Sequence, residues 1–164
     1  FPSSVGACAF LATVADPGNA LVFNPSGVYT GKGPDSKTVY IETKNPGGGL
    51  QGGIPFHLSV ICSSAPGTRI AVVNASGLAS RGSALTSSYN WAPGEYVLAT
   101  NANIASCATI ATRGSVSKTV PFAPATLEIV AGPAPNTIGI QSRNLLFFGG
   151  ARNNAAFHAA TVCP

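Results

Sequence analysis

The stretch "RIAVVNASGLASRG", Arg69 to Gly82, starts as an unbroken aliphatic run and then breaks on Asn-x-Ser-Gly. A short β-branched run bounded by turn formers reads as a strand, and Asn and Gly supply the positive φ that a tight turn needs. Ile70, Ala71, Val72 and Val73 follow one another with no polar alternation, so both faces of this strand read as buried. A closed barrel or two tightly packed sheets would explain that. A near copy, "LVFNPSGVYTGKG", runs from Leu21 to Gly33, with Asn24 and Asn74 standing 50 positions apart. A third copy at the same offset would mean a β-trefoil, but the sequence near residue 124 reads "PFAPATLEIVAGPAPN" and lacks Asn-x-Ser-Gly. Two similar strand-turn units are the simplest reading; a degenerate trefoil and a pair of ligand loops are the alternatives.

The same punctuation recurs along the chain. Runs rich in Val, Ile, Thr and aromatics predict strands at 7–14 (ACAFLATV), 20–23 (ALVF), 37–43 (KTVYIET), 56–62 (FHLSVIC), 69–74 (RIAVVN) and 95–100 (EYVLAT). Further strands are predicted at 107–112 (CATIAT), 116–120 (VSKTV), 125–130 (ATLEIV), 137–141 (TIGIQ), 144–148 (NLLFF) and 155–162 (AAFHAATV). Gly, Pro, Asn and Ser separate them, and no segment carries a 3.6-residue period. The expected fold is all-β: a compact antiparallel β-barrel or β-sandwich of about a dozen short strands in one domain spanning 1–164.

Charged residues make up 9% of the chain, against about 25% in ordinary soluble domains. The polar surface must therefore come from Ser, Thr, Asn, Gly and Pro, a composition suited to an exported protein or one packed into a wall or coat. The net charge is +4, but the nine basic residues are scattered without a stripe or cluster, which argues against nucleic acid. A basic surface can still meet an acidic polysaccharide at long range. No apolar run approaches the roughly 20 residues of a spanning helix, so no membrane span is expected.

Cys8, Cys62, Cys107 and Cys163 are even in number, widely spaced and free of any CxxC pair. Two disulfides in an oxidising compartment fit better than a zinc or redox site. Three connectivities are open; the need to tie down the termini favours Cys8–Cys163 with Cys62–Cys107. The chain starts at Phe1 without Met and reads as a mature secreted form, extracellular or in a cell wall. Asn74-Ala-Ser76 is an N-glycosylation sequon, whereas Pro25 blocks the one at Asn24.

Signals for catalysis are sparse. "GVYTGKG", Gly27–Gly33, superficially resembles a phosphate loop, but three residues separate Gly27 from Gly31 and Gly33 follows Lys32 where Ser or Thr belongs. His57 and His158 each lie in an apolar strand and read as packed or surface residues that share no site. The acidic residues are Asp16, Asp35, Glu42, Glu95 and Glu128; Asp16 and Asp35 sit in turn signals and Glu42 and Glu95 at strand ends, where a carboxylate is ordinarily solvated, and a glycosidase would need two facing each other. No GxSxG elbow is present. The expectation is no enzyme, no cofactor and no metal site. Tyr89 and Trp91 in "SSYNWAPGEY" form the one aromatic cluster beside a turn. Exposed, they would stack on sugar rings; the plainer reading has Trp91 plug one end of the barrel.

The four cysteines, the strand followed by "NPSG" or "NASG", and the closing "LLFFGGARNNAAFHAATVCP" resemble small secreted cell-wall and elicitor-type proteins of filamentous fungi, the phiA-like group. The cysteine spacing departs from that group, so no residue roles carry over. The resemblance implies an extracellular β protein without catalysis, either structural and wall-associated or displaying a surface that a host perceives. A lectin-like carbohydrate-binding module, a protease inhibitor and a small hydrolase are the alternatives. An exposed Tyr89–Trp91 platform would favour the first, a disulfide-braced loop the second and a cleft with two carboxylates the third. Strands that read apolar on both faces also need a cover. Self-association would supply one, most simply as a twofold dimer burying about 1,200–2,000 Å².

Overall fold

The computed structural model describes residues 1–15, 27–64, 66–82, 85–118, 125–144 and 150–164. Among them are twelve strands and no helix: β1 Cys8–Val14, β2 Gly27–Lys32, β3 Val39–Lys44, β4 Phe56–Cys62, β5 Thr68–Val73, β6 Ala79–Gly82, β7 Leu85–Ala92, β8 Glu95–Thr100, β9 Ala108–Arg113, β10 Ala125–Ala131, β11 Thr137–Asn144 and β12 Phe157–Val162. They form four antiparallel sheets, in the orders β6-β5-β12-β9, β10-β11-β8-β7, β1-β4 and β2-β3.

The two four-stranded sheets pack as a sandwich. Ala71 and Val73 of β5 and Phe157 and Ala159 of β12 meet Tyr96 and Leu98 of β8 and Ile138 and Ile140 of β11 in the main core. The Tyr96 and Phe157 rings lie edge-on, centroids 5.1 Å apart. Each fully buried side chain of this size contributes roughly 1.5–3 kcal/mol of apolar burial. The alternate residues of β5 and β12 are not left to solvent. Ile70, Val72 and Ala160 pack against Ala9 and Leu11 of β1, so the central sheet is covered on both sides. That third layer is the physical reason the Ile70–Val73 run carries no polar alternation. The chain supplies the cover for these strands itself, and they give no reason for a second copy.

The sheets do not close into a barrel, and the trefoil alternative fails in the middle third. The first four strands nest, β1 pairing β4 and β2 pairing β3, and the last four nest likewise, β9 with β12 and β10 with β11. Between them β5 pairs β6 and β7 pairs β8, two simple hairpins, so there is no threefold repeat.

Strands expected at 7–14, 37–43, 56–62, 69–74, 95–100, 107–112, 125–130 and 155–162 are present within one or two residues at each end, and the one expected at 137–141 runs on to Asn144. Val116–Lys118, the described part of the run at 116–120, is a bend. The run at 20–23, the turn that holds Asp16, the Asn24 turn and all but Asn144 of the run at 144–148 lie outside the described residues. Three strands were not anticipated: β2, β6 and β7.

The disulfides are Cys8–Cys62 and Cys107–Cys163, which corrects the expected pairing. Strand register decides it. Cys8 stands directly opposite Cys62 in the β1–β4 ladder, and Cys107 and Cys163 flank the last partners of β9 and β12, Ala108 and Val162. The termini are held by these ladders, not by a bridge to each other.

Candidate functional site

Among the described residues, the β7–β8 hairpin carries the one exposed aromatic pair in ring contact. Tyr89 stands opposite Val97 on the outer face of the sheet, and the irregularity in the ladder between Asn90 and Ala92 places Trp91 beside it. Tyr89 is 43% and Trp91 63% exposed, their ring centroids 6.4 Å apart and their planes within 28° of parallel. Trp91 therefore plugs nothing. The core position expected of it is filled by Tyr96, whose hydroxyl donates to Ala75 O and accepts from Ala155 N–H.

The hairpin is fixed from below. Gly94 adopts φ 71°, and a Cβ there would stand 2.6 Å from Ser142 O and 2.8 Å from Asn153 N, so only glycine fits the turn. Gly94 O accepts from Ser142 N–H, and Asn154 Oδ1 accepts from both Gly94 N–H and Asn90 Nδ2. These bonds hold the strand that presents the rings.

Beside the rings runs a polar ladder assembled by register, since Glu95 stands opposite Gln141 and Gln141 opposite Glu128. Arg152 pairs with Glu95, Gln141 Nε2 donates to Glu95 Oε1 at 3.4 Å, Arg143 Nη2 donates to Gln141 Oε1 at 2.9 Å, and Arg143 Nε donates to Glu128 Oε2 at 2.9 Å. Two carboxylates, two guanidinium groups and one amide thus form a continuous network across three strands. Its formal charge is zero.

Two further concavities lie among the described residues, and the first adjoins this face through Val130, Ala131, Gly132 and Pro133. One, of about 520 Å³, runs between the β9 and β10 sides of the sandwich and is walled by apolar residues, Ile104, Ile129, Pro133, Pro135 and Ile138 among them. The other, of about 410 Å³, lies where β1, β2, β9 and β10 meet. There the Arg113 and Lys44 cations stand 5.9 and 5.7 Å from the centroid of the Tyr29 ring. Arg113 Nε and Nη1 are buried without a hydrogen-bond partner, and burial lowers the pKa of this guanidinium and raises that of the Tyr29 phenol. The segment that resembled a phosphate loop is strand β2 in this wall, paired with β3 along its length. None of the described residues lining either concavity is a carboxylate.

The other candidates lie apart. His57 is exposed on β4, and His158 is fully buried on β12. Asp35 Oδ1 accepts from Lys37 N–H in a turn, and Glu42 pairs with Lys44 at 2.7 Å and accepts from Tyr40 Oη–H. No group of three or more His, Cys, Asp or Glu stands at metal-binding distance among the described residues. Asn74 sits in the β5–β6 turn, where its Oδ1 accepts from Ser76 N–H, Ser76 Oγ and Leu78 N–H. Both disulfides join paired strands at a ladder's end, an arrangement unlike the braced projecting loop of an inhibitor.

The sequence pointed to Tyr89 and Trp91 and missed Glu95, Gln141, Glu128, Arg143 and Arg152 as partners. Cross-strand pairing, which no local pattern reports, brings them together. Comparison with known proteins finds no matching family model, curated protein or solved structure.

Proposed function

We propose that this chain is a non-catalytic, exported carbohydrate-binding protein that attaches to cell-wall glycan through the face of β7, β8 and β11. The observation that carries the reading is the exposed Tyr89–Trp91 pair beside the Glu95–Gln141–Arg143 ladder. A large exposed aromatic costs solvation unless something covers it, and a pyranose ring offers a C–H face to cover it and a rim of hydroxyls for the polar neighbours. Two disulfides with no free cysteine suit an oxidising, extracellular compartment. Binding without turnover fits the carboxylates: Asp35, Glu42, Glu95 and Glu128 are each engaged in an ion pair or a turn, and none faces another across a cleft.

The test is co-sedimentation of the disulfide-intact chain with insoluble cell-wall polysaccharide, with Trp91→Ala alongside. The native chain should pellet with the polysaccharide, and the variant should lose at least about tenfold in affinity, the scale of one well-packed aromatic contact. A native chain that stays in the supernatant on every polysaccharide would end this reading.

A further inference from the structure

We infer that the ligand of this face is an uncharged pyranose glycan and that one of its rings seats in the shallow hollow over Gly139. The inference rests on the carbohydrate-binding reading and adds the substrate class and the seat.

The seat follows from register. Tyr89, Val97, Gly139 and Val130 stand opposite one another across β7, β8, β11 and β10, so they form one row on the outer face. Three members of the row have large side chains; Gly139 has none. Its φ lies outside the left-handed region, so the backbone does not require glycine there. What the glycine provides is space. A Cβ at this position would stand 2.6 Å from Val130 Cγ2. The result is a hollow of about 130 Å³ bounded by Trp91, Val97, Val130 and Pro133, with Glu95 and Gln141 at its edge. The aromatic wall faces an apolar one, and hydrogen-bonding groups lie along the side where ring hydroxyls would project.

The substrate class follows from charge. The whole chain carries +4, yet the network beside the hollow pairs two carboxylates with two guanidinium groups. A uronate or sulfate placed there would meet Glu95 and Glu128 while both arginines are already engaged, so its desolvation would go uncompensated. A hydroxyl both donates and accepts, and a row of carboxylate, amide and guanidinium offers both partners without a net field. The apolar row next to it suits pyranoses whose hydroxyls are equatorial, because these expose flat C–H faces. Tyr89, with its centroid 6.4 Å from that of Trp91, extends the platform beyond the seat.

Titration calorimetry with cellohexaose and chitohexaose, against polygalacturonate as the anionic probe, tests this on the native chain, Trp91→Ala, Gly139→Val and Gln141→Ala. The expected result is binding of a neutral oligosaccharide with an affinity unchanged by added salt. Gly139→Val, which fills the hollow and leaves both rings in place, should weaken it at least about tenfold. Gln141→Ala, which keeps the fold and cuts the ladder at its centre, guards against a Gly139→Val chain that fails to fold and should weaken binding likewise. Preference for polygalacturonate with strong salt dependence would overturn the neutral class and leave carbohydrate binding standing. Loss in Trp91→Ala with both other folded variants at native affinity would overturn the seat alone. No binding of any glycan would overturn both.

Discussion

Acidification should destabilise this protein through one histidine. His158 is fully buried on β12, beside the Phe10 ring at 5.3 Å. Its Nδ1 accepts from Phe10 N–H at 2.9 Å, which leaves the proton on Nε2, 3.0 Å from Ser115 O. Protonating Nδ1 would set one N–H against another inside the core. Burial, with the nearby Arg81 cation adding to it, lowers the pKa from 6.5 to about 4. The folded state thus binds this proton more weakly than the unfolded chain does. The associated stability is fully present above about pH 6.5 and is lost as the pH falls toward about 4. A shift of this size corresponds to about 3 kcal/mol, a large fraction of the 5–15 kcal/mol that holds a typical domain. Urea unfolding at pH 7.5, 6, 5 and 4.5 should show the native chain weakening across that window. His158→Gln should be less stable at pH 7.5, since it disturbs Phe10 N–H and Ser115 O, but its stability should change much less between pH 7.5 and 4.5. Ion-paired carboxylates contribute equally to both chains and cancel in the difference. Equal slopes in the two proteins would refute the assignment.

Replacing Cys107 and Cys163 by alanine together should cost about 4 kcal/mol on the chain-entropy view, given the separation of 56 residues; chemical denaturation under non-reducing conditions measures it, and a loss below about 1 kcal/mol would mean that the β9–β12 ladder holds without the staple. Expressed through a eukaryotic secretory route, the chain should carry glycan at Asn74, because its Nδ2 is left for the sugar while Oδ1 makes the turn bonds; an intact mass unchanged by peptide N-glycosidase would contradict this. Sedimentation at micromolar concentration should give a monomer, since β1 and β4 cover the second face of the central sheet; a dimer would point to the exposed Ile110 and Val162 as its contact.

Which parts of the molecule were legible follows from how local their signals are. Strands β5, β8 and β12 announce themselves as short aliphatic runs between turn formers, and in β5 and β12 both faces are covered. β7 did not, because "LTSSYNWA" lies at a sheet edge with its outer face in solvent and reads as polar coil. β2 was obscured by its glycines, which suggested a loop although Val28, Tyr29 and Thr30 are all buried. The two-faced character of Ile70–Val73 was visible in the sequence, but the identity of the cover was not. A second copy and an upstream strand of the same chain leave the same mark on β5, and only the packing of β1 against β5 and β12 distinguishes them. The candidate site divides in the same way. Its aromatic half is local, two residues of one strand, and was found; its polar half joins residues from β8, β10, β11 and the segment before β12, and could not be.

The exposure of Trp91 runs against ordinary burial. A lone tryptophan is the largest apolar group the chain has, and apolar burial would ordinarily draw it into the core. Here Tyr96 takes that position because its hydroxyl can bond Ala75 O and Ala155 N–H at the core's edge, partners that the single indole N–H could serve only in part. With the inner row of β8 and β11 filled by Tyr96, Leu98, Ile138 and Ile140, the irregularity of β7 between Asn90 and Ala92 leaves Trp91 on the solvent side. Trp91→Ser should therefore leave stability within about 0.5 kcal/mol of the native value, as for surface positions outside caps and networks. Thermal unfolding at neutral pH checks it, read together with polysaccharide co-sedimentation. Full stability with lost binding would separate the ring's role from the fold's. A loss of 3 kcal/mol or more, the cost of removing a buried aromatic, would show that the indole supports the sheet, and the platform reading would fail with it.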